Sequence, residues 1–169
     1  MTDHVPVTTR QPVKIERTYE ADVADVWALW TTKEGFESWW GPEGFRVEVR
    51  ALDLRVGGTL SYDMIAHGAE EIAFMKREGM PLSHGTHGTF IEVQAQTRLK
   101  IRHVIDFVTG QPTYTNDMLL ELIPEGKNVR MVVTIEPHRA NEWTERSIAG
   151  FTSQLTKVPV ALAARRKSR

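Results

Sequence analysis

The feature that most constrains this chain is a tryptophan-rich stretch, Asp22 to Phe45, which contains four of its five tryptophans. Its first half shows the i, i+3, i+4, i+7 spacing that places side chains on one face of a helix. Asp22 precedes this pattern as a predicted N-cap, because its carboxylate can accept from the free amides of the first turn. Large aromatic side chains on such a face usually belong to a core. The residues on this face are Val23, Val26, Trp27 and Trp30.

The second half of the stretch predicts another short helix. Thr31 and Glu34 have the spacing of a capping box, in which each side chain bonds a free backbone amide. Gly41 and Pro42 are expected to end this helix, since proline removes a donor and disfavours helix in the residue before it. The apolar residues between are Phe36, Trp39 and Trp40. Because adjacent helical residues point about 100° apart, one of the two adjacent tryptophans can be core and the other can border a cavity.

Most of the remaining chain alternates between apolar and polar residues, the pattern of antiparallel strands with one solvated face. Seven segments predict a strongly curved sheet of six to seven strands. They are Val13–Glu20, Phe45–Ala51, Thr59–Ala66, Thr89–Ala95, Leu99–Phe107, Thr113–Ile123 and Val129–Glu136.

An insertion at 67–88 interrupts this rhythm. Its residues 70–77 predict a short helix with acidic residues at its start and basic residues at its end. Phe74, Met75 and Met80 give the segment an adaptable apolar side. Two interpretations stay open. The segment is either a surface flap on the sheet edge, or a lid over a pocket, in which case Glu70 to Pro81 form the lid.

A long helix beginning with Asn141 as its cap is predicted to close the chain. Its apolar stripe steps by three and four residues and so faces one partner. Gly150 within the helix costs about 1 kcal/mol against alanine and can let the sheet or a ligand approach. Pro159 is expected to kink the helix. The stripe consists of Ile148, Phe151, Leu155, Val158 and Leu162.

Two motifs carry a family resemblance. Trp39-Trp40-Gly41-Pro42, followed by Leu52-Asp53-Leu54-Arg55 and Gly57-Gly58, resembles the activator of heat-shock-protein-90 ATPase homologue family. The resemblance covers roughly 13–162 and departs from the family at Gly150-Phe151, where tryptophan is common after the glycine. It implies an α+β helix-grip fold of the START-like, Bet v 1-like (SRPBCC) superfamily. A curved antiparallel sheet would wrap around the long C-terminal helix, with two short helices after the first strand.

Strand parity places several polar side chains on the face expected to be apolar. His103 shares parity with Leu99 and Ile101, and Asn116 shares parity with Met118. A few convergent polar groups in an apolar hollow are typical of a small-molecule pocket. Glu92 shares parity with Phe90 but has no assigned face, because a bulge could reverse it. The predicted ligand-binding residues are Trp40, Met64, His103, Tyr114, Asn116, Met118, Phe151 and Leu155.

His103 is predicted to be neutral at pH 7, since desolvation disfavours its charged form. One ring nitrogen would then donate and the other could accept from a ligand. The alternative is that His103 and Asn116 bond each other, or water, inside an ordinary core.

The composition excludes several classes of function. The chain has no cysteine, which excludes disulfides and thiolate chemistry, and a net charge of −1, which argues against nucleic-acid binding. No apolar run reaches membrane-spanning length and no secretory signal is apparent, so a cytoplasmic protein without membrane partners is expected. His84 and His87, three residues apart beside glycines, lack the third ligand of a metal site. We expect neither metal nor cofactor, and a homodimer is compatible with the sequence.

One domain is expected at 13–164, after an N-terminal arm at 1–12 and before a basic tail at 165–169. The favoured function is binding of a hydrophobic or amphipathic small molecule between the sheet and the C-terminal helix. An enzyme of cyclase, dehydratase or hydrolase type using His103 as general acid or base is the alternative, although no catalytic motif is present. A chaperone-ATPase regulator or other protein-binding module, implied by the resemblance, ranks third.

Overall fold

The structure is a computed structural model that describes residues 11–106 and 112–168. The greater part of the predicted arm, the predicted strand end at Phe107 and the last residue of the predicted tail, Arg169, lie outside the described residues. Within those ranges no helix has the length and apolarity needed to cross a membrane. The elements are β1 (Val13–Glu20), α1 (Val23–Thr31), α2 (Lys33–Trp39), β2 (Phe45–Leu52), β3 (Thr59–Ala66), α3 (Ala69–Arg77), β4 (Ser83–Gln94), β5 (Arg98–Ile105), β6 (Tyr114–Glu125), β7 (Asn128–Ile135), α4 (Asn141–Leu155) and α5 (Val158–Lys167).

The seven strands form one antiparallel sheet in the order β1-β7-β6-β5-β4-β3-β2. From β2 to β7, strands that are consecutive in the chain pair with each other. The first strand, β1, pairs with the last, β7. β1 and β2 are therefore at opposite edges, and the α1–α2 segment must pass across the sheet to connect them. This topology explains why the tryptophan-rich stretch is buried. The predicted seven strands and the helix-grip architecture are confirmed.

The two short helices form as predicted, but their caps differ from the prediction. Asp22 occupies the N-cap position of α1 without a side-chain cap bond. The cap of α2 is Thr32, whose hydroxyl accepts from the Gly35 amide at 3.0 Å, one residue later than the predicted box. Thr31 instead donates to the Trp27 carbonyl at 2.8 Å and continues α1. Gly41 follows α2 with φ +96°, a conformation that glycine adopts without strain.

The predicted long C-terminal helix consists of two helices that meet in a tight turn. The amides of Thr156 and Lys157 bond carbonyls three residues back, and α5 then begins at Val158. Pro159 lies in the first turn of α5, where its missing amide breaks no helical bond. The proline thus starts a new helix instead of kinking one. The N-cap of α4 is Ala140, and Asn141 is already within the helix.

The core lies between the sheet and the helices. Four residues of the predicted stripe, Phe151, Leu155, Val158 and Leu162, are buried, whereas Ile148 is half-buried. α5 packs on α1 and α2. Asp25 on α1 is 3% exposed, and its carboxylate lies 3.3 Å from the Arg165 guanidinium of α5. This ion pair connects the two helices.

The insertion is shorter than predicted, since β4 begins at Ser83 and the strand predicted from Thr89 gains six residues. The early glycines suggested a loop, but Gly88 is a strand residue. A Cβ there would lie 2.6 Å from the Arg102 carbonyl oxygen of β5, so only glycine permits this approach of the two backbones. The predicted helix at 70–77 is present as α3.

We expect α3 and its flanks to exchange amide hydrogens faster than the strands. Phe74 and Met80 are about half exposed, and Met75 is the only buried residue of α3. A segment with so few buried contacts opens more easily than a sheet. Hydrogen exchange followed by mass spectrometry would test this at residues 69–80, with β5 as the internal reference. Protection of α3 equal to that of β5, unchanged by any ligand, would exclude a role as a lid.

Candidate binding cavity

The concave face of the sheet, the end of α2 and one face of α4 enclose a cavity of about 260 Å³ that is open to solvent on one side. It is predominantly apolar. The apolar residues around it are Trp40, Pro42, Met64, Ile105, Met118, Trp143, Gly150 and Phe151. The polar residues are Tyr62, His84, Thr86, His103, Asn116, His138, Arg146, Ser147 and Gln154.

The structure places six of the eight predicted ligand-binding residues at the cavity wall, namely Trp40, Met64, His103, Asn116, Met118 and Phe151. Tyr114 and Leu155 are not at the wall. Leu155 follows Gln154 by one residue and therefore points about 100° away, into the core. Tyr114 packs with Ile105, and the ring of His138 takes its place at the cavity.

A chain of polar contacts crosses the inner end of the cavity. The indole Nε1 of Trp40 donates to the Tyr62 hydroxyl at 3.1 Å. The same hydroxyl lies 3.4 Å from His103 Nε2. Burial raises the pKa of Tyr62 well above its usual value, and burial lowers the pKa of His103 to about 4. Both side chains are therefore neutral at pH 7, as predicted for His103.

Asn116 is next to His103 in the register but takes another partner. The two residues are paired across β5 and β6. The Asn116 amide donates to the carbonyl of Glu136, at 2.8 Å, and so ties β6 to the chain after β7. This contact favours Tyr62, not Asn116, as the partner of His103. The postulated mutual bond between His103 and Asn116 is absent from the bonds of the described residues.

His138 is held at the other side of the cavity by two contacts. Its Nδ1 lies 2.6 Å from the Tyr114 hydroxyl, and its backbone amide donates to Thr144 at 2.8 Å. The Arg139 guanidinium lies 4.6 Å from the centre of the Tyr114 ring and covers it. Burial lowers the pKa of His138, so this imidazole also favours its neutral form.

Sequence reasoning missed His84 and Thr86 because it assigned them to a loop. On β4 they pair with Met64 and Tyr62 of β3, and all four side chains reach the cavity. Burial lowers the pKa of His84, and the negative charges of Asp106 and Asp63 offset part of this shift. Extending the alternation of β4 backwards from Phe90 would have found both residues.

Residues of α4 were missed for another reason. Trp143, Arg146, Ser147 and Gln154 share the face of Gly150 and Phe151, yet they are too polar or too far apart to join an apolar stripe. At the mouth the Arg146 guanidinium lies 5.2 Å from the centre of the Trp143 ring. Arg146 also pairs with Glu142 at 2.8 Å.

Gln154 and Lys157 connect the C-terminal helices to the turn after α2. The backbone amide of Gly41 donates to Gln154 Oε1 at 3.0 Å. The ammonium of Lys157 donates to the carbonyls of Gly41 and Phe45 at 2.8 and 3.0 Å. Burial lowers the pKa of Lys157. These contacts hold Trp40 at the end of α2 against the cavity.

The charge state of the cavity histidines determines what they can offer to a ligand. Across residues 11–106 and 112–168, the acidic and histidine side chains form no group of three or more that could hold a metal ion. The three cavity histidines have lowered pKa values and favour their neutral forms. A neutral imidazole can donate one hydrogen bond to a ligand and accept another without placing a charge in the cavity.

A curved antiparallel sheet closed by C-terminal helices over an open cavity defines the helix-grip class of START-like domains. Residues 20–163 match the sequence profile of the family described as activator of Hsp90 ATPase homolog 1-like protein, and the chain belongs to this family. Both the family and the fold support a ligand-binding domain in general.

Solved structures show the same fold at low sequence identity. The AHSA1 protein from Silicibacter pomeroyi is 18% identical with a TM-score of 0.72, covering 92% of this chain and 99% of that one. A protein from Arthrobacter aurescens is 20% identical with a TM-score of 0.72, covering 92% and 87%. CalU16 from Micromonospora echinospora is 17% identical with a TM-score of 0.61, covering 93% and 79%. A comparison with curated proteins found no significant match.

Proposed function

We propose that this domain binds a hydrophobic or amphipathic small molecule in the cavity between the sheet and α4. The observation that carries the proposal is the cavity itself, about 260 Å³ of open space between the sheet and α4. Protein interiors are otherwise close-packed, with few voids larger than a water molecule. An apolar hollow of this size that opens to solvent is suited to a ligand.

The size and the wall indicate what kind of ligand fits. Small-molecule pockets commonly span about 300–1,000 Å³, so this cavity takes a compact molecule. Trp40, Met118 and Phe151 offer flat and adaptable apolar contacts, while Tyr62 and His103 offer hydrogen bonds at the inner end. An apolar body with one or two polar groups matches this wall.

Filling the cavity from α4 should abolish binding while preserving the fold. A Cβ at Gly150 would meet no atom within 4 Å, so Gly150→Phe can direct its ring into the open space. Removing a glycine from a helix also favours folding by up to about 1 kcal/mol. We expect Gly150→Phe to keep or raise the melting temperature and to lose affinity for 1-anilinonaphthalene-8-sulfonate at least tenfold. Fluorescence titration and thermal melting measure the two effects.

Ala149→Phe provides the matched control, since Ala149 is exposed on the same helix. It adds the same ring outside the cavity and should leave the titration unchanged. Equal probe binding by the wild type, Gly150→Phe and Ala149→Phe would contradict the proposal. Native mass spectrometry of the purified protein then identifies a natural ligand, as a mass retained by the wild type and Ala149→Phe but missing from Gly150→Phe.

Two other functions are less well supported. An enzyme would use His103 as general acid or base, but a pKa of about 4 makes it a weak base near neutral pH. The Tyr62 hydroxyl beside it is the observation that keeps this alternative open. Regulation of a chaperone ATPase rests on the family description alone. Turnover in a metabolite screen would favour the enzyme, and capture of a chaperone would favour the regulator.

A further inference from the structure

The side chain of Gln154 has one half of its amide fixed and the other half unused. Its Oε1 accepts from the backbone amide of Gly41 at 3.0 Å. A backbone amide can only donate, so the oxygen must face Gly41 and the NH₂ group must point away. Gln154 is 4% exposed, and its Nε2 is buried without a hydrogen-bond partner.

An unpaired buried donor is rare, because it gives up its bond to water and gains nothing in exchange. At the protein surface, water commonly accepts the free bond of a glutamine NH₂ group, but Gln154 belongs to the cavity wall. A glutamine at a packed helix interface would also serve as a simple brace between α4 and Gly41. A brace of this kind uses only the oxygen of the side chain. An apolar group or an acceptor in place of the NH₂ group would therefore brace the two segments equally well.

Gln154 lines the cavity, and because its Nε2 is covered in the ligand-free protein, a ligand reaches this atom by moving a neighbouring side chain. Gly150 lies one turn earlier on the same helix and leaves open space above the backbone. Met64 of β3 belongs to the same cavity wall. Methionine changes rotamer easily, so its side chain can move aside for an incoming group.

We propose that Gln154 is a specificity-determining residue whose Nε2 donates a hydrogen bond to a carbonyl-type oxygen of the ligand. The ligand class is an apolar molecule with a ketone, ester or amide oxygen at its inner end. This inference rests on the proposed function and adds the chemistry of one ligand group. A neutral oxygen is favoured because the amide and the nearby histidines are neutral. The Lys157 ammonium is directed at the carbonyls of Gly41 and Phe45, and the Arg146 guanidinium at the mouth pairs with Glu142.

The test compares two probes of the same shape, 2-acetylnaphthalene and 2-ethylnaphthalene, which differ in the ketone oxygen. Isothermal titration calorimetry gives Kd for each probe with the wild type, Gln154→Glu and Gln154→Met. Gln154→Glu keeps an oxygen for Gly41 and replaces the donor with an acceptor, whereas Gln154→Met removes the donor without adding charge. The ratio of the ethyl Kd to the acetyl Kd cancels the general affinity of each variant for naphthalenes.

We expect this ratio to fall about tenfold in both variants, as the loss of one hydrogen bond predicts. Gln94→Glu, at an exposed position of β4, should leave it unchanged. If both probes bind the wild type and Gly150→Phe blocks them, an unchanged ratio in both Gln154 variants overturns the role of Gln154 and leaves the proposed function standing. Failure of both probes to bind the wild type contradicts the proposed function and this inference with it. The two-probe comparison is independent of any loss of stability, provided that each variant still binds 2-ethylnaphthalene.

Discussion

Replacement of Trp30 with alanine should lower the free energy of unfolding by about 3–5 kcal/mol, the usual cost of deleting a large aromatic from a core. Trp30 is fully buried, and its ring centre lies 5.1 Å from that of Trp39 and 5.3 Å from that of Trp40. Phe151 of α4 lies 6.3 Å away on another side. The void left by alanine would remove the contacts of α1 with the end of α2 and with α4, the two elements that support the binding site.

Two variants make this measurement specific. Trp30→Phe should cost clearly less than Trp30→Ala, since it keeps a ring and removes the Nε1 group, which is buried without a partner. Trp143→Ala, at a half-buried position at the cavity mouth, should cost less than about 1.5 kcal/mol. Urea unfolding followed by circular dichroism measures all three. A cost for Trp30→Ala no greater than that for Trp143→Ala would contradict the central role of Trp30.

Acidification from pH 7.5 to pH 5 should destabilise the protein by about 2 kcal/mol through His103 alone. Its pKa is about 4 in the folded protein, against about 6.5 in the unfolded chain. Between these values the unfolded state binds more protons, so stability rises with pH across this window and falls on acidification. The loss begins near pH 6.5 and levels off below pH 4. His84 and His138 have lowered pKa values and add to it in the same direction.

His103→Phe isolates the contribution of this one ring. The variant should lose about 2 kcal/mol less than the wild type between pH 7.5 and pH 5, because phenylalanine has no proton to gain. His67→Phe, at an exposed position after β3, is the control and should keep the wild-type pH dependence. Urea unfolding at the two pH values gives both numbers. An identical pH dependence for His103→Phe and the wild type would show that His103 is hydrated in the folded protein.

The same variant separates a binding role for His103 from a bracing role. If His103 contacts the ligand, His103→Phe should weaken binding while the ligand-free protein keeps its melting temperature at pH 7.5. If its contact with Tyr62 at 3.4 Å braces the sheet, the ligand-free protein should melt lower by several degrees. The weak geometry of that contact favours the first outcome.

Local periodicity was sufficient for much of the fold. The helical spacing around Trp30 and the alternation along β1, β2, β3, β6 and β7 depend on backbone geometry that each segment carries by itself. The inward parity of His103 and Asn116 followed from the same rule. Periodicity fails where the rule is interrupted. Gly88 made the start of β4 resemble a loop, and His84 was missed with it.

Tertiary structure decided which of the inward-facing groups meet. A register shift between Phe90 and Glu92 sends the Glu92 carboxylate to Arg98, 2.6 Å away, a reversal that parity could not decide. His138 reaches the cavity because the chain after β7 turns back over Tyr114. The oxygen of Gln154 is fixed by the amide of Gly41, far away in sequence. Spacing within a segment determines which face a side chain occupies, whereas its partners depend on register and on contacts between distant segments, which form only when the chain is folded.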